Sequence, residues 1–474
     1  MTESLASKPV PAREIISWAF YDFANSGYTT VVLTTIYSAY FVGVVAAELD
    51  SGEPGSATLL WTLAIAAANF IVLISGPIVG AIADFRASKK AFLFASSVAC
   101  VAATALLSTV GPENVALAVL LLTISSVAFT SGENLIAAFL PEIASNKNMG
   151  RISGYGWSLG YFGGLLTLGC CLAYINYATG RGLDATHYVP VCLLITAIVF
   201  AVTATPTFVW LRERATPQKL PPGKGYISAG FGHVLTTLSH ARQLPDLFRF
   251  LLCIVLFQAG VATVVVTAAI FAQDVMQFDS QQLIILIMVV NLTAAVGAFL
   301  FGFAQDRFGS VNSLVAALLI WILAIAVALQ ASSEADIWIT GNMIGLAMGA
   351  TQAGGRALIG QLTPVSHNGE IFGLWGLANR TAAILGPISY GVINRLSGGD
   401  HQLSLISTLV FFVLGLLVLL TVKEQRGHAA AARANENSAV DKRVSTGSSP
   451  TQTLLHRRIS RRRIYPAIDP YTAK

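Results

Sequence analysis

The feature that most constrains this chain is a membrane pattern that occurs twice. Gly80 and Asp84 follow a long apolar run in the first copy, and Gly302 and Asp306 follow one in the second. The spacing from Gly to Asp is the same in both, and basic residues come after each acid. A helix–loop–helix pattern repeated within apolar sequence indicates a duplicated helical bundle, an arrangement that places a substrate site between the two repeats.

The composition also indicates a membrane protein. Hydrophobic residues make up 54% of the chain and charged residues 11%, whereas charged residues are about 25% of a typical soluble domain. We predict an all-α membrane protein with twelve transmembrane helices in two pseudo-symmetric six-helix bundles. The predicted spans lie near 15–45, 59–83, 91–110, 115–140, 151–175, 188–211, 247–273, 281–304, 311–330, 336–362, 370–393 and 402–422.

Breaks between the apolar runs divide the chain into four regions. The longest internal polar segment contains three prolines within 217–222 and is interpreted as a linker between the halves. The C-terminal segment is polar and basic, which is typical of disorder. We therefore predict an N-terminal half at 1–211, a cytoplasmic linker at 212–245, a C-terminal half at 246–422 and a disordered basic tail at 423–474.

The basic residues outside the predicted spans are distributed very unevenly. Nearly all of them fall in segments on the side of both termini, and only Arg181 and Arg395 fall on the other side. Because Lys and Arg are retained in cytoplasmic loops, both termini are expected in the cytoplasm. We expect an integral protein of the inner (plasma) membrane of a bacterium.

The repeated pattern resembles the loop motif of the major facilitator superfamily, which joins helices two and three and again eight and nine. The resemblance implies a gating role, in which the two acids hold the cytoplasmic side shut. Static anchoring of the loops is the alternative. The residues assigned to this motif are Gly80, Asp84, Gly302, Asp306, Arg307 and Gly309.

A narrower resemblance covers most of the helical region. The segments 18–28, 140–144, 151–161, 351–353 and 372–374 resemble the vacuole-effluxer-like family, which includes an amino-acid exporter of the yeast vacuole. The resemblance implies a transporter, with amino acids as one substrate class.

One position departs from the family pattern. Relatives often carry an Asn-Asp-Gly element in helix seven, where this chain has Gln258-Ala259-Gly260. A carboxylate that could couple ions is therefore missing there, which leaves a uniporter as an alternative.

Four charged residues lie clearly inside the predicted spans, away from their ends, where an ionisable group costs about 2.5–3.5 kcal/mol or more. We expect Asp22, Glu133 and Arg356 to face one another across a central cavity. Arg356 would bind a substrate carboxylate, because its fork can bond both oxygens. Glu133 or Asp22 would bind an ammonium group or carry a proton, and Arg380 would pair with one of these acids or bind substrate.

Structural roles compete with each of these assignments. Glu133 and Arg356 could form a salt bridge that closes a gate or holds the halves together, and Asp22 could cap a helix end or bond between the halves. Asn25, Ser26 and Gln258 could hydrogen-bond a substrate or serve only in packing.

These observations predict a secondary active transporter that moves a small polar solute by alternating access, coupled to protons. No phosphate loop is present and the histidines are scattered, so we expect no ATP-driven step, no enzyme activity, no metal and no cofactor. The expected partners are a small solute, protons and the lipid bilayer, without nucleic acid, and the expected state is a monomer. The alternatives are an exporter of apolar drug or lipid-like compounds and a transporter-like receptor that signals through the basic tail.

Overall fold

The computed structural model describes residues 10–143, 149–214, 225–364 and 368–445. These residues are almost entirely helical. A linker helix spans Tyr226–Arg242 and a tail helix spans Glu424–Ser445. The long helices are α1 (Ala12–Val45), α2 (Ser56–Arg86), α3 (Lys89–Leu107), α4 (Val115–Ala137), α5 (Met149–Thr179), α6 (Ala185–Trp210), α7 (Pro245–Met276), α8 (Ser280–Phe308), α9 (Ser310–Leu329), α10 (Glu334–Leu362), α11 (Asn368–Leu396) and α12 (His401–Leu419).

Helix α1 is not regular along its length. It is α-helical over Ala12–Tyr28, and π-helical turns occupy Thr29–Thr35 and Phe41–Val45. The Thr30 hydroxyl donates to the Ser26 carbonyl at 2.9 Å. A threonine hydroxyl that bonds a carbonyl of the preceding turn competes with the backbone ladder, and π-helical turns occur preferentially near functional sites.

Ten of the described helices are long and apolar enough to cross a membrane. The remaining two long helices, α10 and α11, have 29 residues each and are less apolar because they carry Arg356 and Arg380. At 1.5 Å per residue, either is long enough to span a hydrocarbon core of about 30 Å. The protein is an integral membrane protein of helices, and the count of twelve spans stays a prediction.

Buried apolar side chains form two clusters. The N-terminal cluster draws mainly on α1–α6, and the C-terminal cluster draws mainly on α7–α12. We call the end of the bundle that carries Ala12 and the tail helix the terminal end, and the opposite end the distal end. The division into halves at 1–211 and 246–422 remains our proposal, and it agrees with this separation of the core.

The two clusters meet closely at the distal end. The Trp61 indole on α2 donates to the Val266 carbonyl on α7 at 2.8 Å. Tyr188 on α6 hydrogen-bonds Ser280 on α8 at 2.9 Å, and Arg395 on α11 pairs with Glu53. The side of the bundle away from the terminal end is therefore held together by contacts between residues far apart in sequence.

The tail requires a correction. The sequence predicts disorder over 423–474, but the structure contains a helix over Glu424–Ser445. Its start is fixed by contacts that composition does not reveal: the Glu424 carboxylate accepts from Val311 N at 3.0 Å, and Arg426 bonds the buried Asp246. Residues 446–474 lie outside the described residues.

Candidate functional site

Two of the charged residues predicted within spans form an ion pair across the bundle. The Arg380 Nη2 on α11 donates to Glu133 Oε2 on α4 at 2.8 Å. Because Glu133 bonds Arg380 in this structure, the alternative of a Glu133–Arg356 salt bridge stays a prediction. The sequence did not show which arginine would pair with Glu133, because both arginines lie in the other half of the chain.

Arg356 on α10 lies between two aromatic rings. Its guanidinium carbon is 5.1 Å from the ring centre of Trp157 on α5 and 5.6 Å from that of Trp375 on α11. An arginine over an indole face gains a cation–π attraction, which increases where water is excluded. Asp22 and Glu133 lie close enough to act on its charge.

Asp22 lies where α1 and α5 pack closely. A Cβ added to Gly156 would overlap the Asp22 carboxylate, and one added to Gly160 would lie 2.8 Å from Ser26 Oγ. Glycines at these two positions let the helices approach and make room for the acid. Within the described residues, the Asp22 carboxylate has no hydrogen-bond partner. Asn25 on the same helix is 5% exposed, and its Oδ1 also has no partner there.

A cluster of three amides joins α7, α10 and α11. Gln258 Nε2 donates to Asn379 Oδ1 at 2.8 Å and to Gln352 Oε1 at 3.2 Å. Asn379 Nδ2 donates to the Trp375 carbonyl at 2.8 Å. Gln258 was expected as a polar candidate, whereas Gln352 and Asn379 were not assigned. Both could have been found from their positions in the sequence, because Gln352 precedes Arg356 by one helical turn and Asn379 directly precedes Arg380.

The loop motif is described only in part. Gly80 and Gly302 lie in α2 and α8 with open space beside them, and Arg307 is exposed with its guanidinium 5.7 Å from the Phe308 ring centre. Gly309 joins α8 to α9 with φ +88°, a conformation that favours glycine. The side chains of Asp84 and Asp306 lie outside the described residues, so the gating role stays a prediction.

Two matching charge clusters at the terminal end were missed by the sequence analysis. Glu14, at the start of α1, accepts from Arg212 N at 3.0 Å and from both terminal nitrogens of Arg214 at 2.7 and 2.8 Å. Asp246, at the start of α7, accepts from Lys423 N at 3.0 Å and twice from Arg426 at 2.6 Å. These bonds raise the pKa of the Arg214 and Arg426 guanidinium groups.

The same segments also cap two helices. Glu213 accepts from the backbone N–H of Lys89 at 2.7 Å, at the start of α3, and Glu424 does the same for Val311 in α9. A carboxylate at a helix N-terminus satisfies unpaired donors and complements the helix dipole. The sequence does mark these two capping segments, because a basic residue followed by Glu occurs shortly after α6 and again shortly after α12.

A cavity of about 550 Å³ opens at the distal end, but it is distant from these charges in the fold. It is lined by the loop segments around Asp50, Asp274 and His401, and none of the residues predicted to contact substrate lines it. The polar residues between the two clusters are therefore the better candidate for a substrate site.

A family model described as "Vacuole effluxer Atg22 like" matches residues 55–432. Among curated proteins, the uncharacterized MFS-type transporter YxiO of Bacillus subtilis is 28% identical over 422 residues, covering 89% of this chain and 97% of that protein. Autophagy-related protein 22 of Yarrowia lipolytica is 24% identical over 343 residues, covering 65% of this chain and 57% of that protein.

Solved structures show the same fold. A D-xylose–proton symporter aligns with a TM-score of 0.66 at 14% identity, covering 88% of this chain and 98% of that one. A human organic anion transporter aligns with a TM-score of 0.61 at 15% identity, covering 86% and 100%. The prediction of a major facilitator fold is confirmed, and the relatives are transporters rather than enzymes. The chain is a membrane transporter of the major facilitator type that belongs to the Atg22-like vacuole effluxer family.

Proposed function

We propose that this transporter moves a small polar solute carrying a carboxylate, with amino acids as the leading class, by alternating access and with proton coupling. The observation that carries the proposal is the position of Arg356, whose guanidinium lies between Trp157 and Trp375 where the two clusters meet, with Asp22 as an electrostatic neighbour. Charges of this kind are costly within a membrane and mark substrate or ion pathways.

The stacking of Arg356 is compatible with carboxylate binding. Aromatic rings contact the faces of a guanidinium, whereas its N–H donors lie in its plane and can bond both oxygens of a carboxylate. The rings also hold the side chain in one orientation, which reduces the entropy that substrate binding would otherwise cost.

Asp22 supports the proposal of proton coupling. Its carboxylate lies between closely packed helices and, within the described part of the chain, has no hydrogen-bonded partner. A carboxyl group in such a place can exchange a proton with less cost than one held in a direct ion pair. Asp22 would then supply the coupling site that the Gln258 position of helix α7 lacks.

The Glu133–Arg380 pair supports alternating access. It joins α4 to α11, and the two residues remain partly exposed, at 38% and 19% of their side chains. An ion pair of this kind between two rigid units can break when they rock apart. We place both termini in the cytoplasm of a bacterium, from the charge bias of the loops, and expect a monomer that uses Gly80, Asp84, Gly302, Asp306, Arg307 and Gly309 for gating.

The proposal is tested by ligand-induced stabilisation of the purified full chain over a panel of amino acids and small organic anions. A ligand that binds only the folded protein raises the unfolding temperature with the logarithm of its concentration over its Kd. Arg356→Ala should abolish the stabilisation by any carboxylate ligand. Arg181→Ala is the matched control, because Arg181 also lies over an aromatic ring, Tyr177, at 4.4 Å but in a loop at the distal end.

Transport by the same variants completes the test. In proteoliposomes, Arg356→Ala should lose counterflow of the stabilising solute, whereas Arg181→Ala should keep it. Stabilisation by apolar drugs or lipids that survives Arg356→Ala would instead favour the apolar-export alternative and overturn the carboxylate role.

A further inference from the structure

The hydrogen bonds of the amide cluster determine how each amide is oriented. A backbone carbonyl can only accept, so the Asn379 group that bonds the Trp375 carbonyl at 2.8 Å must be its NH₂. The Asn379 oxygen therefore faces Gln258 and requires a donor, which assigns the Gln258 NH₂ to that contact. The second hydrogen of the same NH₂ then donates to the Gln352 oxygen at 3.2 Å.

This order leaves two polar atoms unused. Within the described residues, neither Gln258 Oε1 nor Gln352 Nε2 has a hydrogen-bond partner, and both side chains are partly exposed. The two atoms belong to amides that bond each other, so they lie on neighbouring side chains. One wall of the site thus presents an unused acceptor and an unused NH₂ donor on two neighbouring amides.

We infer that Gln258 and Gln352 form a subsite for a carboxamide-type group, in which an N–H donor lies beside a C=O acceptor. The N–H of such a group would donate to Gln258 Oε1, and its oxygen would accept from Gln352 Nε2. A carboxylate offers no donor for the first contact, and an aliphatic group satisfies neither. Amino acids with an amide side chain and the lactam edge of a nucleobase both carry this chemistry.

The subsite adjoins the position proposed for the carboxylate, and the inference rests on that proposed function. Gln352 lies one helical turn before Arg356 on α10, about 6 Å along the axis, and Asn379 bonds the carbonyl of Trp375, whose ring lies beside Arg356. A solute with a carboxylate at one end and a carboxamide at the other could therefore contact both groups at once.

The test compares ligands that differ in this group, measured as Kd on the purified full chain. L-glutamine is compared with L-methionine, which has similar length but no amide, and uracil reports a lactam edge without a carboxylate. We expect wild-type protein to bind L-glutamine or uracil more tightly than L-methionine. Gln352→Met should weaken binding of the amide-bearing ligand by about tenfold to a hundredfold, since the oxygen of the bound ligand loses its donor, while binding of L-methionine changes little.

Gln361→Met is the matched control on the same helix. Gln361 is exposed near the end of α10, where its oxygen accepts from Ser310 at 2.9 Å, and its replacement should leave both affinities unchanged. If Gln352→Met does not fold, Gln352→Asn can replace it, because Asn retains the amide on a side chain that is one methylene shorter. The same selective loss of affinity for the amide-bearing ligand is expected.

Several results would overturn the inference. An equal loss of L-glutamine and L-methionine binding would assign the amides a structural role only. Tight binding of L-methionine that depends on Arg356, without preference for an amide, would refute the subsite and leave the proposed function intact. Absence of binding across the whole panel would refute both.

Discussion

Arg380 on α11 donates to Glu133 on α4 at 2.8 Å and thereby joins the two halves of the core through a direct ion pair. The arginine retains further donors: its Nε is buried and has no partner within the described residues. An arginine that is only partly satisfied in this way can exchange its carboxylate partner for another one, which is the property that a transport cycle requires.

Reversal of either charge should therefore stop transport. Glu133→Arg and Arg380→Glu each place two like charges at hydrogen-bond distance, and we expect each to lower counterflow by at least about tenfold, the equivalent of about 1.4 kcal/mol. The double reversal restores opposite charges and should recover part of the activity. Counterflow in proteoliposomes, normalised to inserted protein, measures the effect. A double variant no more active than the weaker single one would argue against a functional pair.

Glu14 should contribute strongly to stability because it is 3% exposed and bonds Arg212 N and Arg214. Glu14→Gln replaces one acceptor oxygen by a donor that faces the guanidinium. We expect a loss of about 1.5–3 kcal/mol, since the substitution weakens hydrogen bonds between charged groups while Arg214, at 36% exposure, can be hydrated. The matched control is Glu334→Gln, an exposed glutamate in the first turn of α10. Thermal unfolding in detergent measures the effect. Equal unfolding temperatures for Glu14→Gln and Glu334→Gln would contradict the stabilising role of Glu14.

The contact between α1 and α5 predicts a steric effect of one added methyl group. A Cβ at Gly163 would overlap the Phe23 carbonyl, whereas nothing lies within 4 Å of the corresponding point at Gly169 on the same helix. Gly163→Ala should therefore lower stability by about 1–3 kcal/mol. Gly169→Ala should be neutral or slightly stabilising, because alanine is the better helix former. The unfolding temperatures of the two variants should separate clearly, and a stable Gly163→Ala protein would show that the helices can move apart at no cost.

Truncation of the tail should have effects that depend on where the cut is made. Removal of 446–474 leaves Glu424 at the start of α9 and Arg426 on Asp246, so a carrier should keep both its stability and its transport. The receptor alternative predicts instead that function is lost with the basic residues of 446–474. Transport and any signalling readout of the same truncated protein discriminate between the two.

Removal of the whole segment 423–474 should behave differently. Asp246 is 2% exposed and would lose all the partners that follow α12, so this buried carboxylate would be left with the longer contact from Arg249 at 3.7 Å. We expect a lower unfolding temperature and a smaller yield of folded protein. A deletion at 423 that is as stable as one at 446 would contradict the anchoring role of the tail helix.

The sequence by itself determined the class of the molecule. The repeated Gly80–Asp84 and Gly302–Asp306 patterns, the long apolar runs and the family segments are local features, and each is readable without knowledge of the fold. Periodicity and hydropathy constrain where helices form, because a helix satisfies its own backbone within the segment. The fold and the family therefore followed from the chain alone.

Only the tertiary structure decided which candidates meet. The choice of Arg380 over Arg356 for Glu133, the position of Arg356 between Trp157 and Trp375, and the amide contacts all depend on how distant helices are placed side by side. The helical start of the tail was missed for the same reason, since a polar segment folds when a buried carboxylate elsewhere binds it. Pairing energies of this kind depend on distances between residues far apart in sequence, and helix packing sets those distances.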